Sequence, residues 1–303
     1  MVASIWRCPR RQRGLAHRLC ICLTVRNAPG ERGLYLASCF RLRSLSSRCR
    51  LNLSKSSFRT AQLDRNIPMA QLFPNHPNLR GGFAPLQMEC DVHDLVIEGE
   101  VPKQLNGTFY RNGPNAQYAP RGTYHMFGGD GMVHALSVED GRVSYRNRWV
   151  RTQRFEKERE AGRALFNSFN PMDVDESVQG MQTDGVANTN IIWHGGKLLV
   201  LEEAHAPIEL DPVTLQTKGI HTFGGKLLGP MTAHPKMDEE TGEMFFFGYN
   251  ADGKISEHMT FSVVDANGLV TRSESFVAPY ASMVHDFMVT KEHILFPIMP
   301  LTG

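Results

Sequence analysis

The chain has 303 residues, of which 41% are hydrophobic and 21% charged, with a formal charge of +2. This is an ordinary globular composition, long enough for one large domain or two small ones. No apolar run approaches the roughly 18 residues of a spanning helix. Past the leader, basic residues do not cluster with aromatics, which argues against a nucleic-acid partner.

The first stretch differs from the rest. Thirteen Arg and one Lys lie before residue 66 against only Glu31 and Asp64, leaving 19 basic and 29 acidic side chains for the remainder. Cys8, Cys20, Cys22, Cys39 and Cys49 also fall there, and Cys90 is the single cysteine beyond it. Disulfides therefore cannot staple the later part, and a reducing compartment suits it. An Arg- and Ser-rich, acid-poor leader over residues 1–68 reads as an organellar transit peptide, which implies a mitochondrion or plastid. It reads equally as spurious upstream sequence before a start at Met69, which implies the cytoplasm. A basic arm for nucleic acid or an anionic membrane is the third reading. Residues 69–303 form the second division, with folded texture from about Asn75.

That division reads as all-β. Short apolar runs recur between turn signals at Asp130-Gly131, Asp140-Gly141, Gly195-Gly196, Asp211-Pro212, Thr241-Gly242, Asp252-Gly253 and Asn267-Gly268. The exception is 151–165, whose Glu, Lys, Arg and Ala content predicts a short surface helix. Four strand–turn–strand units start near Met132, Asn188, Ala233 and Val284, and place His134, Asn188, His234 and His285 at similar points, 54, 46 and 51 residues apart. A repeat near 50 residues built from hairpins predicts propeller blades, with an evenly spaced β-sandwich as the alternative.

Among twelve histidines, His234 and His285 stand out because each begins a strand one repeat apart. Innermost propeller strands line the axis, so these imidazoles converge on one metal; the plainer reading is two core histidines satisfied by carbonyls. His134 fits the repeat and His125 precedes a Gly-rich turn, but both read better as polar lining than as ligands. A ligating histidine usually has a carboxylate orienting its other nitrogen. Glu202 or Glu203 could supply it, and on a strand only one of them points inward. No Gly-x-Ser-x-Gly elbow, phosphate-binding loop or Cys-x-x-Cys pair competes in this part.

Five motifs, Arg111-Asn-Gly-Pro-Asn, Phe127-Gly-Gly-Asp-Gly-Met-Val-His134, Ala187-Asn-Thr-Asn, Thr232-Ala-His-Pro-Lys236 with Thr241-Gly-Glu-Met244, and Met283-Val-His-Asp-Phe287, occur in the order and spacing of carotenoid cleavage oxygenases. From about Asn75 to Gly303 the chain resembles that family. The resemblance implies a seven-bladed β-propeller with Fe(II) on its axis, held by four histidines, and cleavage of a conjugated C=C bond by O₂. His234 and His285 match the first two ligands, Glu203 matches the carboxylate behind a ligating histidine, and His134 matches no ligand. The third and fourth ligands belong to later blades. The chain is therefore expected to be an incomplete propeller with half the ligand set, inactive alone. The Arg111-Asn-Gly-Pro-Asn run reads as a tight turn.

The substrate implied first is a carotenoid or apocarotenoid. The alternative is a stilbene-like phenolic alkene, because Phe223-Gly-Gly-Lys226 and Ala278-Pro-Tyr-Ala-Ser-Met-Val-His285 resemble stilbene-cleaving members. Those hold a phenol hydroxyl with a tyrosine, here taken as Tyr124, and a lysine, whose position here carries Arg154. Arginine keeps the charge but not the geometry of an ammonium. A non-enzymatic propeller scaffold is the rival of another class. The resemblance leaves membrane-surface contact and oligomeric state open.

Overall fold

Short alternating strands pair antiparallel with their neighbours in sequence, and the pairing repeats along the chain. The computed structural model describes residues 72–299 except 168, 169, 171, 182–184 and 254; the leader 1–68 and residues 300–303 lie outside the described residues. The first sheet holds β1 (Cys90–Val92), β2 (Gly107–Pro114), β3 (Gly131–Glu139) and β4 (Arg142–Trp149), in the order β1-β4-β3-β2. After a helix α1 (Gln153–Ala161) comes a second sheet of β5 (Asn190–His194), β6 (Lys197–Leu201), β7 (Ile208–Leu210) and β8 (Thr217–Ile220), in sequential order. The third holds β9 (Lys236–Met237), β10 (Met244–Gly248), β11 (His258–Val264) and β12 (Val270–Val277), also sequential. A hairpin of β13 (Met288–Val289) and β14 (Ile294–Leu295) follows. Four-stranded antiparallel sheets succeeding one another in this way are propeller blades.

The tight hairpins sit where the sequence placed them. Asp140 and Gly141 both take positive φ between β3 and β4, as do Gly195 and Gly196 between β5 and β6, the geometry of a two-residue turn matched to strand twist.

Successive sheets stack face to face, so the middle strands are apolar on both sides. In β6, Leu198 and Val200 pack with Tyr110, Val133 and Ala135 of the first sheet. Their neighbours Leu199 and Leu201 pack with Met244 and Phe246 of the third. Phe247, Met259 and Phe261 then meet Val284, Phe287 and the β13–β14 hairpin. Burial on both faces explains why Leu198-Leu-Val-Leu reads as a continuous run rather than an alternating one.

At one end of the sheets, asparagines tie one first strand to the next. Asn112 Nδ2 of β2 donates to the carbonyls of Ala187 (3.1 Å) and Asn190 (3.2 Å). Asn190 Nδ2 in turn donates to Ala233 O at 2.7 Å. These bonds define the inner rim.

Three expectations are corrected. The Arg111-Asn-Gly-Pro run is not a turn but the end of β2, paired with β3 down to Pro114 against Gly131. Proline is tolerated there because it is the last residue of an edge strand. Consequently β3–β4 is the second and third strand of its sheet, whereas β5–β6, β9–β10 and β13–β14 are hairpins that begin one. His134 therefore does not share the position of Asn188, His234 and His285. Helix α1 forms as expected, with Thr152 Oγ1 accepting from Phe155 N at 3.1 Å and Gly162 closing it in the left-handed region. It is not a plain surface helix, because Arg154, Phe155 and Glu158 are buried.

Candidate metal centre

Glu203, His234 and His285 come together at the inner rim. Glu203 lies just past β6, His234 two residues before β9 and His285 three before β13. One ligand atom from each falls within 4.8 Å of the others. The two imidazoles sit 4.6 Å apart between centroids and are inclined at 65°. His285 Nδ1 is hydrogen-bonded to Glu203 Oε1, which leaves its Nε2 free to ligate. His234 Nε2 is buried and has no hydrogen-bond partner, so its lone pair is available to a metal ion. Burial first, then the neighbouring His285, lowers the His234 pKa; a neutral ring is the form a metal takes.

Local chemistry fixes both histidines. His234 N donates to Thr232 Oγ1 at 3.1 Å, and Thr232 N donates to Phe247 O of β10 at 2.7 Å. Lys236 Nζ reaches Asp286 Oδ1 at 2.6 Å and lies over the Phe287 ring, clamping the strand after His234 to the residue after His285. Gly248 lets the arm bearing His234 approach: a Cβ there would stand 2.1 Å from Pro230 O.

The adjacent acid turns away. Glu202 is buried, accepts from the amides of Val186 and Ala187, and pairs with His205. The two glutamates beyond the end of β6 thus diverge, Glu203 toward His285 and Glu202 toward His205 and the 186–187 amides.

The remaining candidates are placed elsewhere. His134 on β3 is hydrogen-bonded to Tyr145 Oη at 2.7 Å, and burial, helped by Arg111, pushes its pKa down to about 4. His125 Nδ1 accepts from Phe127 N at 3.2 Å and caps the turn Met126–Gly128. Tyr124 and Arg154 do meet, lining one cavity of about 10 Å³ with Tyr118, Asp130 and Glu158, room for a single hydroxyl-sized group. Arg154 Nε stands 3.5 Å from Glu158 Oε1, while its plane lies over Phe166. Glu158 Oε1 also accepts from the amides of Leu165 (2.9 Å) and Phe166 (3.1 Å). Asp130 Oδ1 and Arg154 Nε are buried without a hydrogen bond. Burial raises the Asp130 carboxyl against the pull of Arg154, and burial raises the Tyr124 phenol to about 12.

Sequence reasoning missed Asp130, Glu158 and Tyr249. Glu158 carried a signal, standing four residues after Arg154 on a predicted helix. Asp130 was absorbed into a turn signal, and nothing local marks Tyr249.

The protein-family model described as retinal pigment epithelial membrane protein matches residues 83–303. The chain belongs to the carotenoid cleavage oxygenase family. Among family members, the isoeugenol monooxygenase of Pseudomonas nitroreducens is 45% identical over 237 residues, 78% of this chain and 49% of that protein. The crystal structure of Pseudomonas brassicacearum lignostilbene dioxygenase matches with a TM-score of 0.73 at 38% identity, covering 77% of this chain and 49% of that one. A variant of Synechocystis apocarotenoid oxygenase matches with a TM-score of 0.61 at 30% identity, covering 70% and 47%. The chain spans about half the length of the curated relatives it matches. The expected β-propeller class and oxygenase family are thus established, with both stilbene and apocarotenoid oxygenases among the relatives.

Proposed function

We propose that this chain is part of an iron(II) oxygenase that uses O₂ to cleave the conjugated side-chain double bond of a phenolic alkene. The convergence of Glu203, His234 and His285, with His234 Nε2 buried and unpartnered, carries the reading. The donor set fits the ion, since two neutral imidazoles suit iron(II) and preserve its positive charge. Bound iron supplies O₂ chemistry that side chains lack. The residues of this chain do the rest: His234 and His285 ligate, Glu203 holds the His285 ring through Nδ1, and Lys236–Asp286 fixes the spacing.

Tyr124 and Arg154 support the phenolic substrate. A hydroxyl in their cavity would have Arg154 Nε, which is ion-paired with Glu158, as donor and Asp130 Oδ1 as acceptor, neither of which makes a hydrogen bond within the protein. The 45% identity to an isoeugenol monooxygenase points the same way. An apocarotenoid is the second reading, favoured by the apocarotenoid oxygenase match.

Two imidazoles with Glu203 behind one of them make a small donor set, expected to hold a divalent metal weakly. Titration of the purified chain with Co²⁺, followed by absorbance, should show weak binding that His234→Ala and His285→Ala each abolish. Binding indifferent to both substitutions refutes the centre. Quenching titrations with a 4-hydroxystilbene and its 4-methoxy analogue test the substrate. A preference of about tenfold, roughly 1.4 kcal/mol, is expected for the free hydroxyl. Equal affinity for the two, with tighter binding of an apocarotenal, decides for the polyene.

A further inference from the structure

Glu203 can orient an imidazole only if it is itself held, and its second oxygen shows how. Oε1 meets His285 Nδ1, while Oε2 accepts from Tyr249 Oη at 3.2 Å. Tyr249 directly follows β10 on the third sheet, is 6% exposed and packs among Met259, Phe261 and Val284. Its backbone is continuous with Gly248, whose close approach to Pro230 sets the arm that carries His234.

Resting on the metal-centre reading above, we propose that Tyr249 is a positioning residue for the centre, acting through Glu203 on His285. A carboxylate with two accepting oxygens and one imidazole partner is free to rotate about its last torsion, which is broad and roughly two-fold. A hydroxyl fixed in a packed core removes that freedom, leaving Oε1 aimed at the ring. The phenol is kept protonated, because burial and then the Glu203 charge both raise its pKa. It therefore serves as a permanent donor. A chain of hydrogen bonds thus runs from the core of the third sheet, through a residue of the second, to a ligand at the edge of the next hairpin. The plainer account is that Tyr249 only fills space, which a phenylalanine would do as well.

Tyr249→Phe separates the two, since it deletes one oxygen and keeps the ring. The apo variant is expected to unfold at nearly the wild-type temperature, while its Co²⁺ affinity falls about threefold to tenfold, below the 10–100-fold cost of losing a ligand's direct partner. The Co²⁺ absorption spectrum should broaden as the His285 ring loses its fixed orientation. A double-mutant cycle supplies the decisive readout: on a Glu203→Gln background, Tyr249→Phe should cost much less affinity than it does alone. An unchanged Co²⁺ affinity in Tyr249→Phe, or the same loss with and without Glu203, overturns the inference while leaving the centre intact. Wild-type binding that survives His234→Ala and His285→Ala overturns both.

Discussion

Gly248→Ala probes the contact on which the centre is hung. Gly248 ends β10, and the ideal position of an added Cβ lies 2.1 Å from Pro230 O, 3.0 Å from Pro230 C and 3.0 Å from Thr260 Oγ1. Carbon and oxygen rest about 3.3 Å apart, so the Pro230 peptide must retreat by roughly 1 Å. It cannot do so by turning a side chain, because the obstacle is backbone. The arm is also tethered by Met231 N to His205 O (3.1 Å) and Thr232 N to Phe247 O (2.7 Å). Overpacking of this kind costs about 1–3 kcal/mol, and weakening one tether adds about 1 kcal/mol. The expected loss is about 2–4 kcal/mol, a large part of a typical domain's stability. Urea unfolding followed by the fluorescence of Trp149 and Trp193 measures it. Gly113→Ala is the control, since that glycine also lies in a strand and has nothing within 4 Å of its virtual Cβ. Displacement of the His234 arm should weaken Co²⁺ binding in parallel. A Gly248→Ala protein within about 0.5 kcal/mol of the control would falsify the steric argument.

Phe246→Ala should cost about 3–5 kcal/mol in the same assay, because Phe246 is fully buried between the second and third sheets and stacks on Phe223 at 5.4 Å; a loss under about 1 kcal/mol would contradict the stacking of sheets. His134 gives a pH signature. Its folded pKa lies near 4 through burial and Arg111, below the ordinary value of about 6.5. The unfolded chain binds the proton first, so stability should fall as pH drops from about 6.5 to 4 and then level. Comparison with His134→Gln over that window isolates the contribution, expected at about 3 kcal/mol, and parallel profiles would count against it.

The strand texture was legible because hairpins announce themselves. Asp140-Gly141 and Gly195-Gly196 are local chemistry, readable without a partner. His234 and His285 were legible because they recur one repeat apart and precede strands. What failed was the equivalence of β3–β4 with the later hairpins. It failed because β2 ends in Asn112-Gly-Pro114, residues that favour turns in isolation. Cross-strand pairing with β3 and the bonds from Asn112 to the next sheet override that preference, and such contacts have no local trace. The same holds at the centre. Glu203 and Tyr249 are 46 residues apart along the chain, and nothing local to Arg154 tells that Asp130 lines the same cavity. Pairing between sheets, rather than propensity within them, decides these positions.

No single sheet owns the centre: Glu203 comes from the second, His234 and Tyr249 from the third, and His285 from the connection into the hairpin beyond. Hub and rim of the same hairpin are therefore under unequal constraint. An extra residue in the exposed Asp238–Glu243 turn lengthens a loop facing water. One extra residue between Met231 and His234 swings an imidazole out of reach of its neighbours. A protein built on this plan can accept insertions in such exposed turns while its chemistry stays fixed, and grafted loops or fusion partners belong there.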